Sequence, residues 1–579
     1  MTPIRLWAPR AKSVELECGR RRLSMMRTAD GWWTSYASIH PGADYVFVVD
    51  GQGPFPDPRS AAQPAGVHGL SHIVDHDAFP WSDGAWRAAP LESAVIYELH
   101  IGSFTAAGTF ASAVERLDFL RELGVTHLEL MPVVEFPGDR GWGYDGVDLY
   151  APHHAYGSPE ALKALIDACH ARGLAVILDV VYNHFGPSGN YWSRFGPYLT
   201  RRYATPWGDA VNLDDRGSDE VRRYFCDNAL MWLRDYHFDG LRLDAVHAMF
   251  DRSATHFLEQ LADEVGALGR QLDRRFLLIA ESDLNDPRLV RRRELGGYAL
   301  DAQWSDDFHH ALHALLTGER QGYYKDFGTL ADLAQALRAG FVYDGRYSVY
   351  RDRRHGRAPS GLSGDRFVCC TQNHDQIGNR ARGERLAHLI SPGRLRIAAA
   401  VLFTSPFVPM LFQGEEWAAS SPFQYFTGHP EPDLARAVSE GRKREFVEFG
   451  WDPAMIPDPQ ALSTFVCSKL DWTEPAREPH RQILRWYREL IALRRRCPTL
   501  TNGRMHEVKI TFDEAAQWLV MLRAPIALAF NLSAQRQTVA LPEGAADQLL
   551  MTSEQGIVKH TNSIELPADA VAILAPSLN

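Results

Sequence analysis

The sequence has no run approaching ~20 apolar residues, so nothing in it reads as a membrane-spanning helix. The first residues, MTPIRLWAPRAKSVELE, contain no apolar stretch of signal-peptide length, and a cytoplasmic location is expected. Positive charge is in deficit. Lys and Arg number 61 against 72 Asp and Glu, a formal net charge of −11, which argues against nucleic acid or an anionic membrane as partner. The seven cysteines (18, 169, 226, 369, 370, 467 and 497) form no CxxC and are odd in number. Several sit in apolar runs such as RFVCCTQ, where reduced, buried thiols are expected. There is no HExxH, Cys/His cluster or EF-hand-like loop, and neither a metal nor a cofactor is expected. GQGPFP and GRAPSGLSG are glycine-rich but lack a phosphate-binding pattern, and no repeat of fixed period is present. The arginine triplets at 291–293 and 494–496 read as solvated helix faces.

What is present falls into three textures across 579 residues. Residues 1–85 alternate in strand fashion (IRLWAP, SVELE, GWWTSYA, DYVFVVDG) and suggest a small immunoglobulin-like β-sandwich. Residues 86–500 alternate short apolar runs with amphipathic stretches, as βαβ units do. Eight runs stand out: SAVIYELHIG, VTHLELMPV, AVILDVVYNH, GLRLDAVH, FLLIAESD, ALDAQWS, RFVCCTQNHD and PMLFQGEEW. They predict an α/β fold, a (β/α)8 TIM barrel, with an inserted region in the long gap after the third run. Residues 501–579 return to short strands and read as a C-terminal antiparallel β domain.

Charged residues inside these runs need a reason. Arg242 and Asp244 lie two apart in GLRLDAVH and therefore share one face of a strand. Burying such charges is costly unless they are paired. In a TIM barrel, polar groups at the C-terminal strand ends line the site, and four runs end that way: DVVYNH, RLDAVH, AESD and QNHD. Arg242 and Asp244 are thus expected together at the barrel mouth, the cation favouring ionised Asp244. Glu281, after FLLIA, is expected to be held protonated by apolar surroundings and neighbouring carboxylates. Asp375 supplies a third carboxylate, and Asp179 reads as a structural orienter. Each motif alone also fits an ion pair, a helix cap or a polar turn. Together they fit a glycosidase nucleophile and its acid.

These four segments resemble the signature regions of the α-amylase superfamily of glycoside hydrolases (glycoside hydrolase family 13). The resemblance implies Asp244 as nucleophile, Glu281 as acid/base and Asp375 as transition-state stabiliser. It implies sugar contacts at Tyr144 (in GWGYDG), His184, Arg242 and His374. It also puts Asn183 where calcium-binding amylases often hold a ligand, and a structural role is expected there. VIYELHIGSFT and GWGYDGVDLYAPHHAYG are similar to branching enzymes and their relatives. IAESDLNDPRLV, QNHDQIGNRARGERL and residues 414–446 resemble the maltooligosyltrehalose trehalohydrolase family. That resemblance adds Asp306, Asp307, Phe308, His309 and His310 (in WSDDFHHALH), with His247, Gln376 and Asn379, as candidate sugar contacts. It implies maltooligosyltrehalose as substrate and retaining hydrolysis beside the terminal trehalose. A maltooligosyltrehalose synthase would act upstream as metabolic partner, without an implied complex.

Trp142, Trp192, Trp207 and Phe423 are aromatics available for sugar stacking, with core packing equally open for each. A 1,4-α-glucan branching enzyme and a general α-amylase stay open as alternatives. A glucan-binding protein on an inactive barrel does not fit three retained carboxylates.

Overall fold

The computed structural model describes residues 3–36, 39–445 and 451–576. At the N-terminal end, DYVFVV forms the strand Asp44–Val49, whose β-branched and aromatic residues favour extended backbone. It pairs antiparallel with Val14–Cys18 and Gln52–Phe55. A second antiparallel sheet joins Arg5–Trp7, Trp32–Thr34 and Met26–Arg27.

The eight expected runs are the eight strands of a closed parallel barrel. They are β1 (Ile96–Leu99), β2 (His127–Leu130), β3 (Ala175–Val180), β4 (Gly240–Leu243), β5 (Leu277–Ala280), β6 (Ala302–Trp304), β7 (Phe367–Cys370) and β8 (Val408–Phe412). Each strand pairs with the next, and β8 returns to β1 through Met410↔Ile96, so no edge is left open. The barrel interior has an apolar cluster that includes Ile96, Ile177, Leu277, Ile279, Val368, Val408 and Met410. Two residues further along β1, β3 and β4 the same inward face carries Glu98, Asp179 and Arg242. The side-chain period of two thus separates an apolar plug from a charged layer toward the strands' C-terminal ends. Gly240 starts β4 because a Cβ there would sit 2.7 Å from the Leu277 carbonyl oxygen.

Long βα connections build the walls above the barrel. After β2, a hairpin of Val134–Glu135 and Asp148–Pro152 holds the loop 136–147. The insertion after β3 contains a hairpin, Leu199–Thr205 with Gly208–Val211, and the helix Ser218–Asp235. After β8, the helix Pro432–Glu445 contributes residues to the same wall. Beyond the barrel, a five-stranded antiparallel sheet runs from the edge strand Lys509–Asp513 to the edge strand Leu549–Thr552, with Ala570–Leu574 inside it, accompanied by a three-stranded sheet.

In the second arginine triplet Arg495 and Arg496 are exposed as expected, but Arg494 is not. Arg494 is 1% exposed and donates to the carbonyl oxygens of Phe403 and Ser405, both at 3.0 Å, and to that of Phe407. It satisfies buried carbonyls in the αβ turn that leads to β8, a demand helix periodicity alone does not reveal. All seven cysteines are free; five are buried, Cys18 is half-buried and Cys467 exposed. Among the described residues, no helix is long and apolar enough to cross a membrane.

Candidate active site

An open cleft of about 490 Å³ lies at the C-terminal end of the barrel, with Asp244, Glu281, Asp375, Tyr144, His184 and His374 among its lining residues. Its floor is organised by one guanidinium. Arg242 is 0% exposed and lies 4.3 Å from the Trp304 ring centroid. Its Nη1 reaches both oxygens of Asp179 (2.8 and 2.7 Å) and Oδ1 of Asp244 (2.8 Å). Its Nη2 stands 3.7 Å from Oε2 of Glu281. Asp244 and Glu281 are therefore both held beside one planar cation. Arg242 lies beneath the cleft rather than at its open mouth, since the carboxylates it pairs with cover it.

Asp244 follows β4, where Ala245 adopts φ 39° and turns the chain off the barrel axis. Asn183 donates to Oδ2 of Asp244 (2.7 Å) and to its main-chain oxygen (2.9 Å), leaving its amide engaged in the site's own scaffold. Glu281 follows β5, and its Oε2 accepts from the Ala245 N–H at 2.6 Å. Burial pushes the Glu281 carboxyl up to about 8, and the charges of Asp244, Asp306 and Asp375 add to this against the pull of Arg242. Two neighbouring carboxyl groups thus have unlike surroundings: one is fixed by a cation and an amide, the other kept as an acid.

The opposite wall is built from β1 and β7. Glu98 accepts from the His374 N–H (3.0 Å) and from Nδ1. Burial disfavours the His374 cation, yet Glu98 and then Asp375 outweigh it and raise the imidazole to about 9. Its Nε2 faces the Tyr144 hydroxyl at 2.8 Å, and that hydroxyl donates to Asp179 at 2.6 Å. The chain Glu98–His374–Tyr144–Asp179–Arg242 links the two walls through the floor.

Replacing Glu98 by Gln removes the charge that holds His374 cationic. The expected result is a kcat lowered about 10- to 100-fold, the usual cost of removing an outer orienting partner. The alkaline limb of the pH profile should move toward lower pH, and a kcat–pH series on both proteins checks this.

Two of these groups also set pH-dependent stability. His374 is raised from 6.5 to about 9, so its pairing contributes stability fully present below pH 6.5 and lost as pH rises through about 9. Glu281 is raised from 4.5 to about 8, so the folded state holds a proton the unfolded chain releases, and stability falls between those values as well. Both effects have the same sign.

Comparison with known proteins gives the architecture a family. The alpha amylase catalytic-domain model matches residues 77–204, and a domain of unknown function (DUF3459) matches residues 504–573. A malto-oligosyltrehalose trehalohydrolase of Arthrobacter ramosus is 52% identical over 545 residues, 93% of this chain and 92% of its own. One from Mycobacterium tuberculosis is 48% identical over 580 residues, 99% of each. The chain belongs to the malto-oligosyltrehalose trehalohydrolase family. A solved structure from Salmonella typhimurium, assigned by name to the alpha amylases, shares the fold with TM-score 0.90 and 40% identity, covering 99% of this chain and 97% of its own.

Within this trehalohydrolase-family fold, the structure brings only part of the stretch 306–310 toward the cleft. All five residues belong to the helix Asp306–Thr317, which turns ~100° per residue, so consecutive side chains cannot share one face. Asp306 neighbours Asp375, and Asp306, Asp307 and His310 line a smaller cavity with Asp283, Tyr323 and Arg351. Burial, then Asp375, Asp307 and Asp283, raise the Asp306 carboxyl to about 7.

Phe308 and His309 correct the expectation, while Asp307 lines that smaller cavity but has its carboxylate engaged by a loop. Asp307 is turned into a loop, accepting from Val342 N (2.6 Å), Tyr343 N (2.7 Å) and Asn285 (2.8 Å). Phe308 is 0% exposed against Phe407 and offers no face to a ligand. His309 is 2% exposed and packed on His313 and His310.

His247 and Asn379 line the main cleft; Gln376 does not, though its buried Oε1 has no hydrogen-bond partner. Among the aromatics, Trp142 and Trp207 line the cleft, Trp207 being 47% exposed and stacked 4.5 Å from His184. Trp192 and Phe423 are core residues, at 2% and 0% exposure.

Sequence reading missed Glu98, Asp145, Tyr425, Arg442 and Glu445. Glu98 gave the same signal as Arg242, a charge inside an apolar barrel strand. Arg442 donates to Asn379 (3.1 Å) and lies over Tyr425 (4.9 Å), a meeting of distant segments with no local signature.

Proposed function

We propose that the protein is a retaining glycoside hydrolase that cleaves the α-1,4 bond joining a maltooligosyl chain to its terminal trehalose. The observation that carries the chemistry is the floor of the cleft, where one buried guanidinium touches both Asp244 and Glu281. The names of the trehalohydrolase relatives support the choice of leaving group.

In this reading Glu281, protonated at neutral pH, gives its proton to the trehalose O4 as the bond breaks. Asp244 attacks the anomeric carbon and forms a glycosyl-enzyme. Trehalose departs, and Glu281, now ionised, takes a proton from water as that water releases the maltooligosaccharide. A retaining pair places its carboxyl groups ~5–5.5 Å apart, a spacing that Arg242 can span. Asp375 and His374 hold the hydroxyls of the reacting glucose, and Tyr144 stacks against that ring. His184, His247, Asn379, Asp306 and His310 are the remaining candidate contacts. Residues 1–85 and 501–579 are then accessory β domains of a catalytic unit at 86–500. The uniformly free cysteines fit a reducing compartment, the cytoplasm. A maltooligosyltrehalose synthase supplies the substrate as a metabolic partner, with no complex implied.

Purified protein offered maltotriosyltrehalose, maltopentaose and amylose tests the assignment. The expected products are trehalose and maltotriose from the first, with maltopentaose cut far more slowly. Sites built to pair a particular hydroxyl arrangement discriminate strongly against its absence. Equal cleavage of the first two would make the protein a general amylase, and new branch points in amylose a branching enzyme.

A further inference from the structure

On the outer side of the cleft wall, Glu135, His153 and His154 bring a carboxylate oxygen and two imidazole nitrogens within 4.8 Å of one another. The Nδ1 atoms of His153 and His154 point at one atom, Oε1 of Glu135, at 3.3 and 2.8 Å. The two contacts are unlike. His154 makes an ordinary hydrogen bond, whereas His153 is 0% exposed and neither of its ring nitrogens has a hydrogen-bond partner. A buried imidazole facing a carboxylate without bonding to it is unusual, because buried polar groups are nearly always satisfied.

The spacing suits a shared cation. Ligand atoms ~2.0–2.2 Å from a tetrahedral Zn²⁺ lie about 3.3 Å from one another. The donors are also held in place. Oε2 of Glu135 accepts from the His154 N–H at 2.8 Å, and the Phe136 ring stacks on His153 at 3.7 Å. His154 is solvent-exposed and lines an open cavity of about 300 Å³ with Gln63 and His72, which gives an entry path and room for a fourth ligand.

We propose that Glu135, His153 and His154 bind one divalent transition-metal ion, with Zn²⁺ the best match to two imidazoles and a carboxylate. The site closes the base of a hairpin. Glu135 ends the strand Val134–Glu135, and both histidines directly follow its partner Asp148–Pro152. The loop between carries Trp142, Tyr144 and Asp145 into the cleft, while none of the three ligands lines it. The ion therefore stabilises the wall and takes no part in the reaction, so the inference stands whichever bond the cleft cleaves.

The test uses the full-length protein freed of metal with a chelator, then titrated with Zn²⁺ by calorimetry and followed by thermal unfolding. The expected result is one equivalent bound per chain with a rise in Tm. His154→Gln, a change at the solvent edge, should weaken Zn²⁺ binding at least tenfold and abolish the Tm rise; His154→Asn serves as a second variant should the first not fold. No saturable stoichiometric binding to the native protein, or binding unchanged in these variants, overturns the site and leaves the cluster as a hydrogen-bonded buttress.

Discussion

Glu281→Gln is expected to lower kcat about 10²- to 10⁴-fold, the range that a positioned general acid supplies. At the same time it should raise thermal stability relative to the native protein, by an amount that grows between about pH 4.5 and about pH 8. The two effects share one cause. Burial and the surrounding carboxylates lift the Glu281 carboxyl to about 8, which keeps its proton available to the leaving oxygen at neutral pH. Between pH 4.5 and that value the unfolded chain ionises the group while the folded protein keeps it protonated, so native stability falls as pH rises. A neutral glutamine escapes this cost, so the variant's Tm should fall less between pH 6 and pH 9 than that of the native protein. An equal fall in both proteins would mean that Glu281 titrates normally, and the acid would have to be sought elsewhere. The kcat of the native protein should decline above about pH 8 as the acid form is lost, and a pH series on both proteins reads the two effects together.

Asp244→Ala is expected to remove at least about 10⁴-fold of kcat, as loss of a nucleophile does when the rest of the machinery cannot substitute for it. Its fold should survive. Arg242 keeps both oxygens of Asp179, so its charge is not left unpaired, and breaking a buried pair outright, which costs ~3–5 kcal/mol, is avoided. The variant should therefore still bind maltooligosaccharide in a calorimeter while turning over almost none. Retained turnover would dismiss Asp244 as nucleophile. A binding-only protein on this barrel would show no turnover to lose.

The barrel was legible because its strands are short apolar runs separated by amphipathic stretches, and all eight coincide with strands. The charged floor was legible in part. Arg242 and Asp244 stood out as charges two apart in a strand, a placement that water-avoiding physics does not tolerate without partners. Glu98 made the same statement in IYELH and was passed over, although it anchors His374. The run 306–310 was read as one surface, yet helix geometry sends Phe308 into the core and Asp307 into a loop. The cleft's outer wall was not legible residue by residue. Tyr425, Arg442 and Glu445 reach it from the segment after β8, and Trp207 from the insertion after β3. Such meetings depend on tertiary path, and no local period encodes them.

The most direct test of the account is a time-resolved proton NMR record of maltotriosyltrehalose hydrolysis from its first minutes. Trehalose is expected to appear together with the α-anomer of maltotriose, which only later mutarotates to the equilibrium mixture. That outcome requires both cleavage at the trehalose junction and two displacements at one carbon. Maltotriose appearing first as the β-anomer would contradict the Asp244 glycosyl-enzyme, and glucose or maltose in place of trehalose would contradict the leaving group.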